Sequence, residues 1–361
     1  MTLRTYIITR ILLTIPMVLL LFTIVFTILR VLPGDPVLLH FEKRADPQVV
    51  AEFRHKLGLD KPIWAQYFDY ISGLIRLDLG KSMQDFSPVS QQIFSAFPAT
   101  LELAIFSMII AVGIGIVLGV ESASSYNTLK DHSIRIFGVT TYAIPVFFLG
   151  IIFQMIFGIM LGWLPTGGRT YPGMEPVGAY INLPKIEFTL PIIGTIRIGG
   201  PTHLATGLYT VDSILEGNFM KFIAALRYLC LPSLTLGLVL SGIFIRLTRN
   251  NMIETLRMDF ITAAKARGLK ERVIVYSYAL KNSFLPILTM MGLQFATLLS
   301  GAVLTETTFS WPGLGRYIFT RIGFRDYTAL QGAITVYAIL VALVSLIVDV
   351  LYAYLDPRIR L

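Results

Sequence analysis

The residues nearest to a recognisable chemistry are Gly80-Lys81-Ser82, which read like the end of a phosphate-binding loop. That loop needs a further glycine upstream, so that backbone N–H groups can cradle the phosphates, and a strand leading into it. The required position holds Ile75, and no strand pattern precedes it. Nucleotide binding is rejected there, and energy for work must come from a partner. His40, His55, His132 and His203 are scattered without ligand spacing, and Cys230 is the only cysteine. An internal disulfide is impossible, and a thiolate metal site is not expected. No nucleophile lies beside a base or metal ligands within an apolar stretch. The sequence therefore predicts no catalytic residue, no metal and no cofactor of its own.

The elements that carry these residues are apolar. Of 361 residues, 55% are hydrophobic and 14% charged, with a mean hydropathy of +0.70. Soluble domains hold about 25% charged residues. A span needs about 20 apolar residues, and six stretches qualify, at about 9–32, 99–120, 136–162, 229–248, 284–306 and 329–355. The expected fold class is an all-α polytopic membrane protein with six transmembrane helices. The basic start and the apolar run after it resemble a signal peptide. The run is too long for one and has no small-residue cleavage site, so it reads as a retained span.

The net charge of +8 fits a membrane protein with a basic cytoplasmic side. Arg4 and Arg10, then Lys130 and Arg135, then eight cations from Arg246 to Lys281, then Arg358 and Arg360 fall in short segments on one side. Those segments are expected in the cytoplasm, with both termini. Residues 33–98 and 163–228 become long outer loops. The short loop with Arg316, Arg321 and Arg325 runs against the rule.

The first outer loop should be folded. Asp46-Pro47 is a helix start, Gly58 a stop, and after Pro62 the residues Trp64, Phe68, Ile71 and Ile75 share one helical face. That face is expected on the membrane surface or against the bundle. In the second outer loop, Ile186 to Ile198 suits a short hairpin and Asp212 to about Tyr228 an amphipathic helix. Gly115/Gly119 and Gly158/Gly162 are small-residue pairs that suit close helix packing within one bundle. Glu102, Glu121, Arg246, Glu306 and Asp349 all sit near span ends, and Gln154 and Gln294 are the deeper polar groups. Ion-driven carriers tend to place charges at mid-membrane, so a stand-alone carrier or channel is the weaker alternative. Gln154 and Gln294 are candidates for lining a passage.

The longest cytoplasmic connection, 249–283, carries the argument. Asp259 is expected to cap a short helix, Ala263, Ala264 and Ala266 keep it slim, and Gly268 stops it with a positive φ. Such a helix fits a groove on another protein, with Lys265 and Arg267 able to pair with acidic groups at its rim.

This segment looks like the "EAA" coupling loop of ATP-binding-cassette importer permeases. Thr262 stands where the general pattern has an acid, and Leu285-Pro286 comes later than usual; both departures resemble the peptide and nickel branch. Pro33-Gly34-Asp35-Pro36, Leu57 to Pro62, Tyr67, Asp78 to Ser82, Pro88-Val89 and Pro98 to Leu101 resemble that branch too. So do Trp163 to Gly167, Leu231 to Gly237, Glu306, and Phe309 to Gly315. The likeness runs along the whole chain and is thinnest over 172–228, which reads as an insertion.

The resemblance implies the B-type subunit of a dipeptide or oligopeptide permease with a type I importer fold in a prokaryotic plasma membrane. Its implied partners are a second permease, two cytoplasmic ATPases that bind the ATP, and an extracytoplasmic solute-binding protein. Nickel chelates and oligosaccharides are carried by relatives of the same branch. By that likeness Asp259, Ala263, Ala264, Lys265, Arg267, Gly268 and Leu269 couple to an ATPase. Trp311, Pro312, Gly313 and Gly315 form a turn at the outer mouth.

Overall fold

The structure is a computed structural model that describes residues 3–31, 46–56, 58–190, 194–299 and 302–355. Pro33 to Pro36, Leu57, Arg358 and Arg360 lie outside the described residues.

Five helices are long and apolar enough to cross a membrane: α1 (Leu3–Val31), α4 (Val89–Ser124), α8 (Phe219–Leu256), α10 (Glu271–Leu299) and α13 (Tyr327–Leu355). The expected third span is not one helix. It is α5 (Leu129–Ala143) followed by α6 (Val146–Phe153), whose last turns wind as a π-helix over Gln154–Met160; the pair bends by 98°. Pro145 is the cause. It has no N–H to donate and holds Ile144 extended, at φ −73° and ψ 127°. The broken pair still joins both ends of the bundle. Asp131 binds Arg249 of α8, and the Trp163 carbonyl accepts from Arg227 of the same helix. Twenty-two helical residues separate the two arginines, about 33 Å at 1.5 Å each, which matches a hydrocarbon core of about 30 Å. The chain therefore crosses six times, once through a broken helix.

The shorter helices gather at one end, here the loop end. They are α2 (Pro47–Lys56), α3 (Ile63–Ile75), α7 (Tyr209–Leu215), α11 (Val303–Thr308) and α12 (Leu314–Gly323). The basic end holds residues 125–128 and α9 (Asp259–Ala266). A two-stranded antiparallel hairpin, β1 (Ala179–Leu190) with β2 (Gly194–Leu204), is added to the all-α bundle at the loop end. Its register pairs Ile186 with Ile198, and it is longer than the sequence suggested, with an irregularity between Leu183 and Ile186.

Helices α4 and α8 form the central pair. Gly119 makes this possible, since a Cβ there would lie 2.5 Å from Thr248 Cβ, and Gly115 leaves no more room against Phe244. The second glycine pair is not a helix seam. Gly158 packs on Thr166 of its own following loop, and Gly162 is a turn residue with φ +64°. The expected helix from Asp212 to Tyr228 is also divided. Gly217, at φ +68°, ends α7, and the Asp212 carboxylate accepts from Thr206 and Gly207 in the preceding loop.

In the first long loop, Asp46 Oδ1 accepts from Gln48 N at 3.0 Å at the start of α2, and Gly58 has φ +65°. Helix α3 packs Tyr67 and Tyr70 on Phe26 of α1, and Tyr70 bonds Thr335 of α13 at 2.6 Å. On its other face Trp64, Phe68 and Ile75 are about two-thirds or more exposed and Ile71 is half-buried, so most of that face does not pack on this bundle.

Candidate functional site

At the basic end, α9 is a two-turn helix hung between α8 and α10. Met258, not Asp259, occupies the cap position, and no side chain caps it. Asp259 is the first helical residue, where its charge still favours the positive end of the helix dipole. Gly268 follows at φ +72° with no atom near a potential Cβ, so glycine is required by backbone conformation and not by crowding.

The helix has two faces. Ile261 and Ala264 are buried against Val120 and Ala123 of α4, Met252 of α8, and Ile274, Val275 and Ala279 of α10. Asp259, Ala263, Lys265, Arg267 and Gly268 are exposed and Leu269 is half-buried. The small side chain of Ala264 thus faces the protein's own core. A displacement of α9 would reach three crossing helices at once, because packed side chains transmit strain.

Beside it, Asp131 locks the corner between α4 and α8. Arg249 donates to both carboxylate oxygens, Nε at 2.7 Å and Nη2 at 2.8 Å. Ser122 Oγ donates at 2.6 Å and Asn127 N at 3.0 Å. A buried carboxylate with four donors is a fixed joint.

At the loop end, the Trp311–Gly315 turn is closed around Glu306. Its carboxylate is fully buried, accepting from Thr100 Oγ1 at 2.7 Å and from the backbone N–H of Arg316 at 2.8 Å. Thr100 Oγ1 in turn accepts from Leu314 N at 2.7 Å. Helix α12 is therefore capped at its N-terminus by residues from two other helices, which satisfies N–H groups that have no partner inside a helix. Trp311, buried to 1% exposure, donates from Nε1 to the Ala99 carbonyl at 2.8 Å. Gly313 and Gly315 bring the backbone close enough for these contacts.

Ala99 and Thr100 of α4 bind the Trp311 turn, and Glu102 of the same helix binds residues 169 and 210 of the long loop 163–228. Arg169 donates to Glu102 Oε2 from Nε at 3.1 Å and Nη2 at 2.7 Å, and lies 3.8 Å over the Tyr209 ring. Thr210 N and Oγ1 both donate to Glu102 Oε1 at 2.7 Å. Residues 99–102 thus hold the loop at Arg169, α7 and the Trp311 turn as one unit.

A second polar cluster joins residues 82–92 to α12 and α13. Asp326, fully buried, accepts from Ser82 Oγ at 2.5 Å and Met83 N at 3.1 Å. Arg321 donates to Asp85 Oδ2 at 3.1 Å and Gln92 Oε1 at 2.8 Å. Burial works against the ionised Asp85, but hydrogen bonds from Ser87 and Arg321 outweigh it and hold the group well below the usual carboxylate range. Ser82, which suggested a phosphate loop, is thus a structural donor.

Gln154 is partly buried, with its amide donating to the Thr166 and Thr308 carbonyls at 2.6 and 3.0 Å. Gln294 is half-buried on α10. The two side chains are used differently, and Gln154 ties α6 to α11. Arg169, Asp131 and Asp326 were not singled out from the sequence. For Glu306 a signal existed, an acid a few residues before Gly313 and Gly315 at a helix start.

Six crossings, a short helix slung at the basic end and loops locked at the other end define a multi-pass membrane protein. The match to known proteins names its family. Residues 111–361 match the binding-protein-dependent transport system inner membrane component, and residues 3–104 match the N-terminal part of such components. The chain belongs to this family of ATP-binding-cassette importer permeases. It is 39% identical over 355 residues, 98% of this chain and 99% of the relative, to the dipeptide transport system permease protein DppB of Alkalihalophilus pseudofirmus. It is 39% identical to the di/tripeptide permease DppB of Pseudomonas aeruginosa, covering 93% and 92% of the two chains. The glutathione permease GsiC of Salmonella choleraesuis is 35% identical, covering 98% of each. In fold, the chain is similar to the MetNI methionine transporter in an inward-facing conformation, with TM-score 0.51, 14% identity and coverage of 74% and 97%.

Proposed function

We propose that this chain is the B-type permease of a heterodimeric importer for dipeptides or short oligopeptides. The observation that carries the reading is full-length similarity, at 39% identity, to permeases named for dipeptides and di/tripeptides. The glutathione relative keeps modified tripeptides within the substrate class. The basic end faces the cytoplasm in this reading, with both termini, and the loop end faces outward.

In the mechanism, the exposed face of α9 docks into a groove on a cytoplasmic ATPase. Ala263 lets the helix approach closely, Lys265 and Arg267 pair with acidic groups, and Gly268 sets the exit of the chain. Closure of the ATPase pair on ATP moves α9. Its inner face, through Ile261 and Ala264, moves the ends of α4, α8 and α10. The fixed Asp131–Arg249 joint carries the movement into the bundle as a rigid body. At the other end, the unit held by residues 99–102 follows, opening the path outward where a binding protein delivers the peptide. ATP and the loaded binding protein must each favour the outward state for this to work. The ATP is bound by the partners, and this chain supplies the path. The fully committed Trp311–Gly315 turn gives the outer mouth a rigid edge.

The test is affinity purification of the tagged chain from native membranes in mild detergent, with mass spectrometry of stoichiometric partners. A second permease and cassette ATPases are expected. Recovery of this chain alone as a stable homo-oligomer would overturn the reading in favour of a stand-alone channel or carrier.

A further inference from the structure

On the side of the bundle where α5 crosses α8, toward the basic end, lies a cavity of about 370 Å³ that the transport reading does not use. Its size falls in the range of about 300–1,000 Å³ typical of small-molecule sites. It exists because Gly138 and Gly242 bring the helix backbones into contact, leaving no room for a Cβ on Gly242 against the Gly138 carbonyl. The walls are Val139, Tyr142, Ile243 and Ile245, and the rim holds Arg135, Arg246 and Arg249.

The three guanidiniums are not equivalent. Arg249 is committed to Asp131 at 2.7 and 2.8 Å. Arg135 and Arg246 are exposed and have no carboxylate partner among the described residues. Among the described residues, the rim therefore keeps two positive charges that no carboxylate meets. Below the rim, Val139 and Tyr142 stay 68% and 58% exposed, and Ile136 continues the same apolar strip along α5 at 66%. A soluble anion would satisfy the arginines and leave this strip bare. An amphiphile satisfies both.

We propose that this cavity is a binding site for an acidic phospholipid. Its phosphate is held by Arg135 and Arg246 and its acyl chain lies along Val139, Tyr142 and Ile136. Basic recesses between spans at a membrane surface suit anionic headgroups, which concentrate beside positive charge. A lipid here would brace α5 against α8 beside the Asp131 joint. The inference rests on this chain's own residues and does not depend on which solute is carried.

The test uses the full chain with whatever subunits co-purify, delipidated in detergent. It is then offered phosphatidylglycerol or phosphatidylcholine and read by native mass spectrometry. Phosphatidylglycerol adducts should be retained at least tenfold more than phosphatidylcholine adducts. The double variant Arg135→Gln/Arg246→Gln should lose that preference. A control pair that removes two exposed charges elsewhere at the same end, Arg272→Gln/Lys281→Gln, should keep it. Equal retention of both lipids, or equal loss in the control pair, would overturn the proposal. So would displacement of the lipid by equimolar glycerol 3-phosphate or by a dipeptide, since a headgroup anion alone or a solute would then account for the site. If the double variant fails to fold, the wild-type lipid preference and the competition decide.

Discussion

Gly313 lies directly against the Glu306 carboxylate, so that a Cβ built on the glycine would reach within 2.5 Å of Oε2. The same carboxylate caps α12 through the Arg316 N–H and holds Thr100. Gly313→Ala therefore cannot be accommodated without breaking one of these bonds. The expected loss is about 2–3 kcal/mol, the cost of leaving a buried hydrogen-bonding group unsatisfied. Thermal denaturation of the purified protein in detergent checks it. Gly113→Ala is the control, because nothing lies within 4 Å of that position and alanine suits a helix interior.

The Glu102–Arg169 pair is buried on both sides, at 2% and 7% side-chain exposure. Removing one partner strands the other charge, and Arg169→Met should cost about 3–5 kcal/mol. The double variant Glu102→Gln/Arg169→Met should recover part of that loss. A double-mutant cycle on the thermal midpoint measures the coupling. Additive single effects would show that the pair does not tie the loop at Arg169 to α4.

The two alanines of α9 should separate in experiment. Ala264→Trp overpacks the cluster of Val120, Met252 and Ile274 and should lower the amount of folded protein. Ala263→Trp lies on the exposed face and should leave folding intact while reducing uptake tenfold or more. Gly268→Asp should also reduce uptake, since the chain there sits at φ +72°. Size-exclusion profiles and uptake in cells, measured on the same variants, distinguish the two faces.

Acid should weaken the cluster at residues 82–92. Asp85 titrates below its unfolded value of about 3.9. A carboxylate with a depressed folded pKa adds stability above the unfolded pKa and loses it as pH falls through the folded value. The contribution is thus present at pH 7 and declines below about pH 4. Asp85→Asn should be less stable than the wild type at pH 7, with the difference shrinking in acid. Thermal midpoints from pH 7 to pH 3 check the sign.

Much of the architecture was legible in the sequence because lipid imposes it. Long apolar runs mark crossings, and φ-positive glycines such as Gly58 and Gly268 mark helix ends. The break at Pro145 was also present as a residue, yet proline occurs inside α1, α4, α8 and α10 without dividing them. Local sequence does not tell a tolerated proline from one that breaks a helix, because neighbouring helices decide. The two faces of α9 were hidden for a similar reason, since Ala263 and Ala264 are chemically identical and only the packing of α4, α8 and α10 assigns their faces. Arg169 and Asp326 are loop residues whose partners stand 67 and 244 positions away. Spacing along the chain carries no sign of such pairs.

The most direct test of the account is uptake of a labelled dipeptide by proteoliposomes that hold the co-purified complex, with ATP on the ATPase side. Uptake that requires ATP hydrolysis and an added solute-binding protein, and that Ala263→Trp abolishes while the complex stays assembled, is the predicted result. Peptide accumulation by this chain alone, without ATP or partners, would contradict it.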